Sequence, residues 1–262
     1  MRRLRLQMMA GGQIPPDPDA VAFLTATGIT DPTISLAIDT LVKELKTYGI
    51  WTKMKALYPF VGGTASTHKF NLKNPVDSDA AFRLVFSGGW THSATGALPN
   101  GTNGYADTFL NGLTALTNAS NHFSYYSRTS TVGVAVEMGS SNGNNNFLHL
   151  RSATNYVAGG ITIVPFTSTT NSQGFWLGSK ESSTSRKGFK NGVLESLITT
   201  NDTTAYQNLK IFIGARNDNG SAAVYSAKEC ALASIGDGLT TTEAANLYTA
   251  VQAFQTTLGR QV

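Results

Sequence analysis

Two spacings of apolar residues divide the chain. Between residues 17 and 63 the spacing is helical: Ile34, Ile38, Leu41, Leu45 and Tyr48 step by four, three, four and three, which lays one narrow apolar stripe along a helix. The punctuation agrees. Asp17 caps a helix that has Pro18 in its first position and Gly28 as its stop, and Asp31, Pro32 and Gly49 repeat the scheme. The stripe needs a cover. It is served equally by the chain's own β-domain and by an oligomer or docking interface, since an a/d-like seam suits both. Trp51, Met54 and Leu57 continue it into a short turn of helix that ends before Pro59.

After Gly62-Gly63 the spacing becomes two. Phe82-Leu84-Phe86, Val132-Val134-Val136-Met138 and Leu209-Ile211-Ile213 alternate with small or polar residues, as strands with one face on a core do. Turn signals interrupt them at Ser87-Gly88-Gly89, Pro99-Asn100-Gly101, Ser141-Asn142-Gly143 and Asn217-Asp218-Asn219-Gly220. Lys187 to Leu194 reads as a hairpin, because Asn191-Gly192 tolerates the positive φ angles of a tight type I′ turn. Near the end, Thr240 and Glu243 have capping-box spacing, and Leu247, Val251, Phe254 and Leu258 share one helical face, so a helix over 240–258 should pack back onto the sheets.

Composition narrows the class. Only 14% of the 262 residues are charged, whereas Thr, Ser and Asn together exceed a quarter of the chain. That disfavours a helical bundle and favours many short strands. The net charge of +4 is too small and too dispersed for a nucleic-acid groove. Cys230, the single cysteine, rules out an intrachain disulfide and is expected to be buried as a small apolar residue. Arg2, Arg3 and Arg5 give the start a basic character, but Gly and Pro follow before any sustained apolar run, so neither a signal peptide nor a membrane span is read.

Several strings resemble known proteins. Gly174 to Gly178, Arg186 to Leu194 and Ile211 to Ala215 are similar to the later strands of concanavalin A-like, laminin-G-type jelly rolls. Asp17 to Ala20, Trp51 to Ala65, Asn100 to Thr108, Ala233 to Leu239, and Leu247-Tyr248 through to Leu258 to Val262 resemble a family of tailed-bacteriophage virion structural proteins. The expected fold is therefore mainly β, a two-sheet antiparallel jelly-roll sandwich with an N-terminal helical segment and a C-terminal helix. It divides into an arm (1–16), a helical segment (17–63) and the sandwich (64–262). The resemblance implies a non-enzymatic virion component assembled in the host cytoplasm. Its station would be capsid decoration, head fibre or tail, and its partners other virion proteins and copies of itself, a trimer for preference. A basic arm would ordinarily fray alone, so Arg2, Arg3, Arg5 and Leu6, with Ile34, Ile38, Leu41 and Leu45, are the expected anchoring residues.

Catalysis and metal binding find little in the residues. Concanavalin A-like glycan hydrolases need paired carboxylates close together on a strand, and between residues 80 and 194 the acids are only Asp107, Glu137 and Glu181. His68, His92, His122 and His149 are scattered singly and read as surface residues of strands, so no metal or other cofactor is expected. Asp107, Asp202, Asp218 and Asp237 lie near turns without the alternating spacing of a calcium loop. The alternative function is a carbohydrate-binding module for host surface glycans. Aromatic faces stack on sugar C–H surfaces, and the candidates are Trp90, Tyr126 and Trp176, with Tyr125, Tyr156 and the amides of Asn144 to Asn146. The competing reading fills the core with the same aromatics.

Overall fold

The computed structural model describes residues 15–150 and 171–262, except 132, 134 and 144. Helix α1 (Pro18–Thr27) starts where the Asp17 carboxylate accepts the Asp19 amide and stops at Gly28, whose φ of 68° few other residues adopt. Helix α2 (Pro32–Thr47) is capped by Asp31, which accepts from the Thr33 and Ile34 amides. Two single-turn helices follow, α3 (Ala65–His68) and α4 (Gly112–Ala115). Helix α5 (Thr241–Thr257) carries the complete Thr240/Glu243 capping box.

Two sheets make the body. The first holds β1 (Met54–Tyr58), β3 (Trp90–Ser93), β4 (Gly96–Pro99), β6 (Asn121–Ser127), β9 (Gly174–Ser182), β10 (Ser185–Lys190), β11 (Val193–Ile198) and β15 (Cys230–Gly236). The second holds β2 (Val85–Ser87), β5 (Tyr105–Asn111), β7 (Met138–Ser141), β8 (Asn145–Leu148), β12 (Lys210–Ile213), β13 (Arg216–Asp218) and β14 (Ser221–Ala223). The first runs in the order β11-β10-β9-β6-β15-β4-β3 with β1 beside β15; the second runs β14-β13-β7-β12-β5-β2 with β8 beside β7. All pairs are antiparallel except β7 with β13. The fold is thus mainly β, a two-sheet sandwich with few helices.

The helices add a third layer. Tyr126, Phe175, Leu177, Phe189 and Leu232 turn from the first sheet towards Ile38, Leu41, Leu45, Leu247, Val251 and Phe254 of α2 and α5. From the other face of the same sheet, Phe123, Tyr125, Trp176, Ala233 and Ile235 meet Leu110, Met138, Ile211 and Ile213 of the second sheet. With both faces covered, β6 and β15 are buried at every residue. Both keep the alternation, but each face of it ends in a different core.

Arg260 closes the assembly. It is 1% exposed and has no carboxylate partner, yet it donates from Nη2 to Pro59 O (2.7 Å) and Ala231 O (2.9 Å), from Nη1 to Phe60 O (2.8 Å) and from Nε to Gln255 Oε1 (2.5 Å). Its own carbonyl accepts from Arg128 Nε at 2.9 Å, and the Val262 amide donates to the Tyr126 hydroxyl at 2.9 Å. Burial, with the neighbouring Arg128 charge, lowers the Arg260 pKa to about 9. The guanidinium therefore stays charged at neutral pH, held by the dipoles around it.

The expected helices and the Asn191-Gly192 hairpin are present; φ at those two residues is 49° and 75°. Four expectations change. Trp51–Lys53 is a single 3-10 turn, and Met54 to Tyr58 form a strand, because β15 offers a pairing edge that a short ambiguous apolar run accepts. Residues 17–63 contribute β1 to the first sheet and α2 to the helical layer over it. Phe82 does not start a strand: its φ is 60° after a 3-10 turn, and only Val85 to Ser87 pair. The strand ending the valine run begins at Met138; Val132 and Val134 lie outside the described residues. Lastly, His68, His122 and His149 are buried rather than on the surface.

Two of those histidines make the fold acid-sensitive. Burial lowers the His68 pKa to about 3, aided by His92, whose Nδ1 lies 2.9 Å from its own, and by Arg260. Burial takes His122 to about 4, although its Nδ1 lies 2.6 Å from Asp237 O. The unfolded chain takes up both protons as the pH falls through the ordinary value of 6.5, and the fold refuses them. Stability should therefore fall with pH below that value, by about 1.4 kcal/mol per pH unit for each histidine. Urea midpoints recorded from about pH 7 to about pH 4.5 should decline steadily, and His122→Asn should make the slope shallower by one histidine's share, with His68, His92 and His149, whose pKa values burial also lowers, supplying the rest. A midpoint that does not move over this range would contradict the burial argument.

Candidate functional site

The structure separates the residues that the sequence nominates for sugar binding. Trp176 is 1% exposed in the core between the sheets, with its Nε1 donating to Ser172 O at 2.9 Å. Tyr126 is buried beneath α5 and donates to Gln252 Oε1 at 3.0 Å. Trp90 is half-buried; its indole N–H is shared between Ser87 O and Tyr105 O, and its ring lies against Gly214, where an added Cβ would meet it at 2.8 Å. These three fill and plug the sandwich, and none forms a platform. Ile38, Leu41 and Leu45 are spent in the chain's own helix–sheet core and are not free for docking, while Ile34 packs at its margin. Arg2, Arg3, Arg5 and Leu6 lie outside the described residues, as does Tyr156; Asn144 does too, and nothing is said of the side chains of Asn145 and Asn146.

A different aromatic set is gathered on the second sheet. That sheet turns Ala106, Thr108, Leu110, Ile211 and Ile213 inward, so Tyr105, Asp107, Phe109, Lys210 and Phe212 point the other way, where no helix lies among the described residues; Phe212 is buried there at 6% exposure and the other four are partly exposed. Tyr105 and Phe212 stack across β5 and β12, with ring centroids 4.8 Å apart and planes 30° from parallel. Lys210 Nζ sits 4.0 Å above the Phe109 ring and 3.0 Å from Asp107 Oδ2. Asn111, at the end of the row, donates to Asn208 Oδ1 at 2.7 Å, and Arg216 and Asp218 pair at 2.6 Å on β13.

A bulge shapes this face. Lys210 pairs with Asn111 and Phe212 with Asp107, so three residues of β5 oppose Ile211 alone. The slack is taken up at Phe109, whose φ is 55°, a left-handed conformation that a bulky residue adopts only under constraint. Side chains hold it there: Asp107 Oδ1 accepts the Phe109 amide at 2.7 Å, while Thr108 Oγ1 donates to Ile211 O at 2.7 Å and accepts the Leu110 amide at 3.1 Å. The bulge sets the Phe109 ring against the Lys210 ammonium, on the face that also carries Tyr105 and Phe212. Such a surface can lie against a sugar ring and offer hydrogen bonds at its edge.

The acids are otherwise engaged. Glu137 is fully buried; its Oε1 accepts from Lys228 Nζ (2.9 Å) and Ser226 Oγ (3.1 Å), and its Oε2 from the Leu150 amide (2.5 Å). Glu181 pairs with Lys187. Asp202 bridges the buried Lys180 and Arg186, and Asp237 meets Lys55 at 3.3 Å. Among the described residues no group of three or more His, Cys, Asp and Glu is arranged to hold a metal ion, and no helix is long and apolar enough to cross a membrane. Cys230 is buried, and desolvation raises its thiol pKa far above the usual range.

No protein-family model matches the chain, and no curated protein matches its sequence. Solved structures of similar shape do exist. Domain 4 of a GH43 extracellular arabinanase from Geobacillus stearothermophilus, in complex with arabinotriose, is 15% identical; the match covers 74% of this chain and 98% of that one at a TM-score of 0.49. A mutant Trypanosoma rangeli sialidase displaying trans-sialidase activity is 11% identical over 83% of this chain and 39% of that one, with a TM-score of 0.47. Botulinum neurotoxin type C, whose cell entry depends on interaction with two ganglioside molecules, is 11% identical over 79% and 53%, with a TM-score of 0.45. The chain thus spans nearly all of the arabinanase domain but about half or less of the other two. These are likenesses of shape, and none assigns this chain a ligand. Sequence reasoning missed the Tyr105/Phe109/Phe212 face because its aromatics sit on two strands far apart in the chain. The one local sign was Phe109 among period-two residues whose inward partners are small or aliphatic.

Proposed function

We propose that this chain is a non-enzymatic carbohydrate-binding β-sandwich that takes a sugar on the outer face of its second sheet. The observation that carries the reading is Phe109, held at positive φ by Asp107 and Thr108 and partly exposed on the face of the sheet that also carries the stacked Tyr105 and Phe212. Backbone strain of this kind costs about 1–3 kcal/mol and concentrates where a side chain must be presented to a ligand. Asp107, Lys210 and Asn111 supply the polar rim that orients ring hydroxyls. The non-catalytic half of the reading is supported by Glu137 and Glu181, each occupied by a lysine, the first just before β7 of the second sheet and the other on β9 of the first. Host surface glycans are the ligands such a module would serve.

We propose further that the module belongs to a bacteriophage particle, docked through its first 16 residues. This reading is supported by one structural fact. The strings that resemble phage virion proteins converge, since Arg260 from the last string bonds to Pro59 and Phe60 of the Trp51 to Ala65 string. The resemblance therefore follows a framework of the fold rather than scattered words.

On an array of bacterial and host glycans, the chain should bind at least one oligosaccharide class, and Tyr105→Ala should weaken it at least tenfold, about 1.4 kcal/mol. Phe109→Gly should weaken binding likewise while moving the urea midpoint by no more than about 1 kcal/mol of stability, because glycine relieves the strained φ as the ring is lost. A cost of about 3–5 kcal/mol would instead mark Phe109 as an ordinary core residue, and an empty array would end the proposal. For the particle, deleting residues 1–14 should abolish incorporation without lowering the melting temperature; incorporation of the truncated chain would contradict the docking reading.

A further inference from the structure

Strand β11 ends the first sheet, and among the described residues no strand pairs with its outer edge. Such an edge presents a row of backbone N–H and C=O groups that proteins ordinarily guard with charged side chains, proline, a bulge or a covering loop. This one, Val193-Leu194-Glu195-Ser196-Leu197-Ile198, carries one charge and one bulge, and neither lysine nor proline. Of the eight large apolar residues that are exposed among those described, three lie on it: Val193 at 61%, Leu194 at 39% and Leu197 at 50%. No other element gathers as many.

The register of the neighbouring pair gives this edge a symmetry. Leu194 lies opposite Phe189 and Leu197 opposite Lys187, while Val193 lies opposite Lys190 and Ile198 opposite Arg186. Positions 187 and 189 share one face of β10, and 186 and 190 the other. Leu194 and Leu197 therefore share the helix-covered face, and Val193 and Ile198 share the face towards the second sheet. That arrangement depends on the register shift between Gly188 and Phe189, which leaves Glu195 as the extra residue. Without it, residues three apart would point to opposite faces.

We infer that β11 pairs antiparallel with β11 of a second copy of this chain, about a two-fold axis perpendicular to the sheet and between Glu195 and Ser196. In this register Leu194 meets Leu197, Val193 meets Ile198 and Glu195 meets Ser196, each apolar residue facing an apolar partner on its own face. A two-fold axis perpendicular to a sheet keeps every residue on its face, so opposed residues must already share one, and the bulge makes this pairing satisfy that condition. A register one residue away would instead set Glu195 against its own copy, like charge against like. The occupant is a second copy because the strand is complementary to itself in both ladder and side chains. The result is one continuous sheet across two molecules, with the Tyr105/Phe109/Phe212 face presented twice. Two weak sugar sites held together gain avidity without a new contact.

Sedimentation equilibrium of the full chain over a range of micromolar concentrations should give twice the single-chain mass. Leu197→Lys, and independently Leu194→Lys, should return the single-chain mass, since each puts the guard residue of natural edges at the joint. Both positions are exposed, so circular dichroism and the melting temperature should stay within error of the parent. Amide hydrogens of residues 193–198 should exchange slowly in the parent and many-fold faster in either variant. A parent of single-chain mass at every concentration, a trimer, or a dimer that survives both substitutions would overturn the inference. So would slow exchange in a monomer, which would mean that the edge is covered by its own chain. The sugar affinity of one isolated site should be unchanged in the monomeric variants, so a failed dimer and a failed sugar site give different results.

Discussion

The architecture depends on a buried cation that makes no salt bridge among the described residues and is held by carbonyl dipoles. Arg260 reaches the exit of β1 through Pro59 and Phe60, the strand β15 through Ala231, and α5 through Gln255. A guanidinium taken from water is costly unless its N–H groups are met, and here five donor contacts meet four backbone carbonyls, Ala94 O at 3.4 Å among them, and one side-chain amide. Removing the side chain would leave those acceptors buried and unpaired, at about 1–3 kcal/mol each. One residue near the end of the chain thus fixes the helical layer against the first sheet. It also ties residues 17–63 to that frame, since α2 and α5 form a single cover that the arginine locks in place.

That cover decides where a ligand can go. The first sheet has helices on one face and the second sheet on the other, so its aromatics, Trp176 and Tyr126 included, are committed to packing. Among the described residues no helix covers the outer face of the second sheet. On that face the chain holds a phenylalanine in a conformation that costs energy, uses an aspartate and a threonine to keep it there, and sets a lysine above its ring. The edge at β11 follows from the same economy of cover, because α2 and α5 protect the face of the first sheet, and among the described residues no strand pairs with its rim.

Much of the frame was legible in the chain. Asp17/Pro18, Asp31/Pro32 and Thr240/Glu243 each announce a helix start through groups that satisfy orphan amides, and these signals are local. The Asn191-Gly192 turn was legible for the same reason. What failed was decided at long range. Met54 to Tyr58 looked helical until β15 supplied a partner, and of the described residues in the valine run Met138 lies on a strand while Val136 does not. The candidate site was the least legible part. Its aromatics are separated by over a hundred residues and meet only through the β5–β12 register, whereas the tryptophans that stand out by eye are the ones a sandwich needs inside.

The most direct measurement is a map of backbone and aromatic-ring resonances during titration with an oligosaccharide mixture. The account predicts that the largest shifts fall on Tyr105, Phe109, Lys210 and Phe212, with Trp176 and Tyr126 silent. Shifts centred on Trp90 or on the α1–α2 surface, or a spectrum unchanged at saturating sugar, would contradict it.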